Sequence, residues 1–195
     1  MSDHKSPAHA QSHSRAHAHG RAHAHAQRPK SQPAHVISFV SAHAADARNI
    51  SARTGVPTEV ILAQSALESN WGRKVIGNAY FGIKGKSASG KSTRFATHEE
   101  TRSGQRVSEV DEFRAFANYA EAAEDYASLI MRRYSGAMAY KSDPMKFAEA
   151  VARLRYATDS AHGAKLKSIL RLHVMPLMVP TAAPAAQPEA EHATP

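Results

Sequence analysis

The chain has 195 residues, no cysteine and a formal net charge of +8, which is spread along the sequence. Without cysteine, neither a disulfide bridge nor a thiolate metal site can form. No apolar run approaches the roughly 20 residues of a membrane span, so no transmembrane segment is predicted. The N-terminus also lacks the apolar core of a signal peptide. The length suits one domain with flanking tails, and the basic charge suits an anionic polymer, either nucleic acid or cell wall.

Residues 1–35 form a low-complexity segment in which a short phrase of histidine and alanine repeats. Eight of the thirteen histidines lie between His4 and His35, and no large apolar residue occurs between Met1 and Val36. Such a segment cannot bury enough surface to fold, so we expect a disordered tail. Histidine-rich tracts can bind zinc, nickel or copper, but the alternating spacing fixes no coordination geometry and favours a flexible basic spacer. We expect the Ala/Pro-rich residues 181–195 to be disordered as well.

Two helices are predicted at the start of the ordered region. The first begins at Val36 and ends at Gly55. The second has Pro57 in its first turn and ends at Gly72. One face of this second helix carries a stripe of apolar side chains: Val60, Ala63, Leu67 and Trp71. Glu68 falls at the edge of the stripe, half in the core and half at the surface, and partial desolvation of that kind makes a carboxylic acid a proton donor near neutral pH.

A small β region is predicted next. Tyr80 to Gly85 indicates a short strand or tight turn, and residues 93–116 indicate a β-hairpin with its turn at residues 103–104. Residues 85–92 (GKSASGKS) match the spacing of a phosphate-binding loop. A phosphate loop follows a buried strand and opens a helix, whereas here the preceding apolar segment is short and the following residues are not helical in pattern. A flexible Gly/Ser/Lys loop is therefore favoured.

Three more helices are predicted in the second half of the chain. Residues 119–134 have apolar residues at helical spacing. Asp143 and Pro144 are a cap followed by a first-turn proline, and start a helix that continues to Leu154. Asp159 is predicted to cap a final helix over residues 160–173.

Residues 63–72 (AQSALESNWG) and 78–84 (NAYFGIK) closely resemble motifs of glycoside hydrolase family 73, the peptidoglycan N-acetylglucosaminidases. This family includes the hydrolase domain of the flagellar rod-cap protein. The resemblance covers residues 36–180 and implies a lysozyme-like α+β fold, mainly α, with a helical lobe and a small β-hairpin lobe. It also implies that Glu68 is the catalytic acid and that no metal or other cofactor takes part.

The family carries a second carboxylate on the first strand of the hairpin, and its place here is open. The nearby Thr97 points to Glu99, whereas the distances to Gly104 and to residues 113–116 (FRAF) point to Glu100. Successive strand residues face opposite sides, so at most one of the two glutamates faces the groove. We favour Glu100 because it agrees with the two later landmarks.

Residues 155–166 (RYATDSAHGAKL) resemble a further motif of the family, with Ser160 in place of a proline and His162 in place of a tyrosine. The resemblance makes Tyr156 the tyrosine of the groove near the catalytic acid, where its phenol would orient the acetamido group or the attacking water. Substrate-binding residues are expected among the aromatic and amide side chains near the acid. They are Trp71, Asn78, Tyr80 and Phe81.

The sequence thus predicts a peptidoglycan hydrolase that cleaves the bond after N-acetylglucosamine, acting in the periplasm, cell wall or extracellular space by an unknown export route. Peptidoglycan glycan strands are the expected partner, nucleic acid is not, and a flagellar or secretion-system partner is open. Two alternatives keep the fold: a lytic transglycosylase, and a non-catalytic module for wall binding or flagellar assembly. Carboxylate separation, which the sequence does not give, decides between inverting, retaining and substrate-assisted routes.

Overall fold

The computed structural model describes residues 31–100, 106–154, 156 and 161–179, with the backbone alone at residues 97–100 and 106–109. Six α-helices and one two-stranded antiparallel sheet make up this described part. In chain order the elements are α1 Ala34–Thr54, α2 Thr58–Ser69, β1 Ser92–Glu100, β2 Arg106–Arg114, α3 Tyr119–Arg133, α4 Pro144–Arg153, α5 His162–Ile169 and α6 Met175–Met178. The predicted fold class, mainly α with a small hairpin, is confirmed.

Helix α1 forms where the apolar spacing predicts it and ends at the predicted glycine. Gly55 adopts a left-handed φ of 76°, and its N–H donates to the carbonyl of Ser51, which closes the last turn. The folded unit begins at Gln32, four residues before the predicted start of the domain at 36. The side chain of Gln32 donates to the carbonyl of Leu172 at 2.7 Å and lies 2.8 Å from Nδ1 of His173. Residues 1–30, most of the predicted tail, lie outside the described residues.

Helix α2 is buried on nearly all sides, which corrects the prediction of a single apolar stripe. It packs against α1, α3, α4 and α5, so even its polar residues Gln64, Ser65 and Ser69 are buried. The buried hydroxyls are satisfied within the core: Ser65 bonds Tyr119 Oη at 3.0 Å, and Ser69 donates to the carbonyl of Ser65 at 2.5 Å. The central helix is therefore held by contacts on nearly all sides, and this fixes the residues at its C-terminal end.

The prediction that α2 reaches Gly72 is wrong by three residues. Asn70, Trp71 and Gly72 all adopt left-handed φ angles, of 50°, 59° and 74°. Asn is among the residues that enter this conformation most easily, and Ser69 Oγ then accepts a bond from the N–H of Gly72 at 2.8 Å. Trp71 therefore lies in a turn after the helix and not on its stripe.

The hairpin joins the helical lobe at its base. Strands β1 and β2 pair in register from Ser92 with Arg114 to Glu100 with Arg106. The backbone of Glu112 and Arg114 also bonds to the preceding loop, at Gly85 and Ile83. The loop over residues 85–92 leads into β1, not into a helix, so it lacks the setting of a phosphate loop. The predicted turn at residues 103–104 lies outside the described residues.

The later helices form where they are predicted except at the end of the chain, and the cap predicted at Asp143 is present. Asn118 caps α3, and Asp143 accepts bonds from the N–H groups of Met145 and Lys146 at the start of α4. Between them lies a 3-10 helix, Ser135–Tyr140, that was not predicted. Helix α5 begins at His162, two residues later than predicted, and a π-helical turn, Leu170–Val174, carries the chain into α6. The predicted cap, Asp159, lies outside the described residues.

Among the described helices, none is long and apolar enough to cross a lipid bilayer.

Candidate active site

A groove of about 590 Å³ lies beside the C-terminal end of α2. Its walls come from α2, the loop that follows it, the end of β2, the C-terminal half of α3 and the segment before α5. The lining residues are Glu68, Phe81, Gly82, Ile83, Lys84, Arg114, Leu129, Arg133, Tyr134 and Tyr156. Three residues predicted for the site, Glu68, Phe81 and Tyr156, therefore come together in one groove.

Glu68 stands in the last turn of α2, with 28% of its side chain exposed. Its Oε1 accepts a hydrogen bond from Nε2 of Gln64, one turn earlier on the same helix, at 2.9 Å. The same oxygen lies 3.1 Å from Nε2 of His162, the first residue of α5. One face of the carboxyl group is thus held by buried side chains, while the group as a whole borders the groove.

Gly82 lies against the other oxygen of Glu68. Its φ is +59°, and a Cβ built on it would stand 3.0 Å from Oε2 of Glu68. Any larger residue would therefore meet both backbone strain and the carboxyl group itself. The glycine in the predicted turn is what lets the loop approach the carboxylate so closely.

Tyr156 forms the far side of the groove and donates its hydroxyl to the carbonyl of Phe81 at 3.4 Å. Burial raises the pKa of this phenol well above its ordinary value, and the nearby Tyr126 and Glu68 raise it further. Tyr156 is therefore a neutral hydrogen-bond donor at any physiological pH. Behind it, Phe81 stacks on Tyr126 with ring centroids 4.6 Å apart, so the groove has an aromatic floor.

Cationic side chains line the rim of the groove. Arg114, at the end of β2, donates two hydrogen bonds to Asp125 of α3, at 2.9 and 2.8 Å. Lys84 pairs with Asp111 at 2.8 Å, and Arg133 is exposed. Because aspartates neutralise Arg114 and Lys84, the attraction of this rim for a substrate that carries carboxylates would come chiefly from Arg133.

Trp71, Asn78 and Tyr80 occupy other places in the described part of the fold. The amide of Asn78 donates to the backbone carbonyls of residues 116 and 117, both at 3.0 Å, and locks the loop to the end of the hairpin. Trp71 meets the ring of Phe39 edge-on at 5.7 Å, and Tyr80 meets the ring of Tyr119 edge-on at 5.0 Å. The groove lining does not include these three residues, and their contact with sugar stays a prediction.

The two hairpin glutamates lie at the far end of β1. Glu99 pairs with Val107 and Glu100 with Arg106 in the backbone register. Only their backbone is described, so the choice between them stays a prediction. Among the described residues no cluster of three or more His, Asp or Glu side chains could hold a metal ion.

Gln64 and His162 are the site residues that sequence reasoning missed. Both contact the carboxylate of Glu68, and they lie 3.3 Å from each other. A signal for Gln64 was present, because residues i and i+4 of a helix share a face. The signal for His162 was that it replaces a tyrosine in an otherwise matching motif. Its position, 94 residues after Glu68, gave no sign that the two side chains meet.

A helical lobe, a small hairpin and a glutamate that borders a groove with an aromatic floor define a lysozyme-like glycoside hydrolase. The chain belongs to the glucosaminidase family, glycoside hydrolase family 73: the family model described as mannosyl-glycoprotein endo-beta-N-acetylglucosaminidase matches residues 44–173. The resemblance seen in the sequence motifs is thereby confirmed.

Two curated relatives illustrate the range of the family. The peptidoglycan hydrolase FlgJ of Pseudomonas aeruginosa is 32% identical over 154 residues, which is 74% of this chain and 38% of the relative. A probable N-acetylmuramidase of Lactococcus lactis is 32% identical over 143 residues, which is 68% of this chain and 32% of the relative. The chain thus spans well under half the length of these two proteins.

Solved structures match the fold. The catalytic domain of the autolysin Auto from Listeria monocytogenes superposes with a TM-score of 0.63 at 27% identity, covering 75% of this chain and 89% of that one. A peptidoglycan hydrolase mutant from Sphingomonas sp. A1 gives a TM-score of 0.62 at 34% identity, covering 71% and 98%. Both matches cover most of the solved chain, so this chain aligns along nearly the full length of those two structures.

Proposed function

We propose that this domain is a peptidoglycan hydrolase that cleaves the glycosidic bond after N-acetylglucosamine, with Glu68 as the general acid. The observation that carries the proposal is the setting of Glu68, held on one oxygen and bordering a groove on the other side. A carboxylic acid in that position can protonate the glycosidic oxygen as the bond breaks. The hydroxyl oxygen of Tyr156 lies in the same groove and can still accept a hydrogen bond, so it would orient the acetamido group of the sugar or the attacking water.

The hairpin would supply a second carboxylate, for which the sequence landmarks favour Glu100. The strand register gives each sheet face one link to the groove: position 100 shares the face of Arg114, which lines the groove, and position 99 shares the face of Asp111, which pairs with Lys84 of the lining. A carboxylate from the hairpin, or the substrate's own acetamido oxygen, would then assist attack at the sugar carbon.

The substrate and location follow from the relatives as proposals. Proteins named peptidoglycan hydrolase and autolysin resemble this chain, and the exposed Arg133 at the groove suits the acidic stem peptides of peptidoglycan. We place the action of the domain in the periplasm or cell wall. A flagellar partner is suggested by the name FlgJ alone.

Product analysis on purified peptidoglycan tests the proposal. We expect cleared zones in zymography and, after borohydride reduction, fragments that end in reduced N-acetylglucosamine. Fragments that end in reduced N-acetylmuramic acid would instead support the activity named for the Lactococcus relative. Anhydro ends would identify a lytic transglycosylase, and binding to sacculi without soluble fragments would identify a non-catalytic module.

A further inference from the structure

Two buried side chains contact the same oxygen of Glu68. Nε2 of Gln64 lies 2.9 Å from Oε1, and Nε2 of His162 lies 3.1 Å from it. The side chain of His162 is 9% exposed, so water has little access to this contact. The oxygen is therefore held from within the protein and not from the groove.

The donor and acceptor chemistry of this trio restricts the hydrogen positions. Nε2 of Gln64 and Nε2 of His162 lie 3.3 Å apart. An amide nitrogen donates hydrogen bonds and accepts none. A hydrogen on Nε2 of His162 can therefore be accepted only by Oε1 of Glu68, which then receives two donors at once.

We propose that His162 is a positioning residue that fixes which oxygen of Glu68 carries the catalytic proton. With Gln64 and His162 both donating to Oε1, the proton of the acid form resides on Oε2. That oxygen faces Gly82 of the groove lining, where a Cβ would stand only 3.0 Å away. This inference rests on the proposed role of Glu68, and it assigns His162 to the acid's orientation and not to contact with the sugar.

The fold holds His162 in place for this task. It begins α5, and the next residue, Gly163, lets α5 approach α4 so closely that an added Cβ would stand 2.6 Å from Cβ of Ala152. Its ring lies 5.8 Å from the ring of Tyr156, at an interplanar angle of 34°. Helix–helix packing and an aromatic neighbour therefore set the position of the imidazole relative to Glu68.

Three substitutions separate the hydrogen bond from the packing. His162→Phe keeps a ring against Tyr156 and removes the donor. His162→Gln places an amide nitrogen near the position of Nε2, while His162→Asn is similarly polar but one carbon too short to reach it. His43→Phe is the matched control, because His43 is a half-buried histidine stacked on Tyr119 at 3.9 Å in another part of the fold.

We expect His162→Phe and His162→Asn to lower kcat about 10- to 100-fold with KM nearly unchanged, since misdirection of a reacting group costs on this order. His162→Gln should keep kcat within about threefold of the parent, and His43→Phe should leave kcat unchanged. Parental kcat in His162→Phe, or in His162→Asn should the phenylalanine variant not fold, would overturn the proposal. Equal losses in folded Gln and Asn variants would also overturn it.

A measurement on the resting protein keeps this test separate from the proposed function. In protein with 15N-labelled histidine, the ring signals of His162 are assigned by their loss in His162→Gln. We expect the hydrogen on Nε2, and a hydrogen on Nδ1 alone would overturn the proposal whether or not the protein cleaves peptidoglycan. Conversely, an Nε2 hydrogen in a protein without hydrolytic activity would contradict the proposed function and leave the contact with Glu68 in place.

Discussion

The wall of the groove that holds Glu68 and the hairpin wall are built in different ways. Helix α2 is packed by four other helices, and the hydroxyls of Ser65 and Ser69 bond within the core. The hairpin is a single two-stranded sheet, joined to the rest at its base, and Val110 on it is 71% exposed. An isolated hairpin is marginally stable in water. The difference teaches that Glu68 stands on the more densely packed wall of the groove, whereas the hairpin wall depends on a single pair of strands.

The largest loss of kcat is expected from a substitution of Glu68. Glu68→Gln keeps the size and the hydrogen-bonding capacity of the side chain but removes the transferable proton. We expect a loss in kcat of about 10³-fold, within the range for a general acid, and a melting temperature close to the parent. Turnover at the parental rate in a folded Glu68→Gln protein would show that Glu68 is not the general acid.

A smaller loss of kcat is expected from a substitution on the hairpin wall. Glu100→Gln should lower kcat about 10- to 100-fold, the range for loss of one positioned acid–base group. Glu99→Gln is the matched neighbour, and by strand alternation it should change kcat little. If Glu99 is the sensitive position, the strand parity has been misassigned. If neither matters, attack by the acetamido oxygen of the substrate becomes the leading route.

Gly82 tests whether the fixed carboxylate depends on the loop beside it. Gly82→Ala places a methyl group 3.0 Å from Oε2 of Glu68 at a φ of +59°, so the carboxyl group or the loop must move. We expect kcat to fall about tenfold and the free energy of unfolding to fall by about 1–2 kcal/mol. Gly90→Ala is the control, because its φ of +77° is similarly strained but no atom lies within 4 Å of the added carbon. Equal losses of kcat in both variants would make strain alone the cause.

Much of the fold followed from local sequence signals, because caps and apolar spacing act over a few residues. The left-handed glycine at Gly55, the cap at Asp143 and the first-turn proline at Pro144 all fall where the sequence predicts them. The early end of α2 was not predicted. Three consecutive left-handed residues follow Ser69, and the Oγ of Ser69 accepts a hydrogen bond from the N–H of the third, Gly72. Helical spacing alone continues through Trp71 and gives no sign of that break.

The site was less predictable than the fold, for a reason visible in its residues. Glu68 and Tyr156 were placed by family resemblance; both line one groove, and their catalytic roles stay predictions. The contact between His162 and Glu68 depends on how α5 packs against α2, a long-range contact that no local pattern encodes. Asn78 is the opposite case: it lies near Glu68 in the sequence, but its amide donates to the carbonyls of residues 116 and 117 and ties the loop to them.

The smallest effect is expected at the N-terminus, where Gln32 lies within the predicted tail of residues 1–35 and bonds to Leu172 and His173. Residues 1–31 contain no large apolar side chain after Met1, so their deletion should leave the melting temperature unchanged. Deletion of residues 1–35 also removes Gln32, which bonds the carbonyl of Leu172 and Nδ1 of His173. Partly exposed hydrogen bonds of this kind contribute about 0.5–1.5 kcal/mol, or a few degrees in Tm for a domain of this size.

The substitution Gln32→Ala in the full chain separates the side chain from the backbone around it. We expect it to reproduce most of the difference between the two deletions in thermal melts followed by circular dichroism. An unchanged melting temperature after deletion of residues 1–35 would support the predicted domain boundary between residues 35 and 36. A large loss of stability after deletion of residues 1–31 would mean that the His/Ala-rich segment contributes to the fold, against the expectation from its composition.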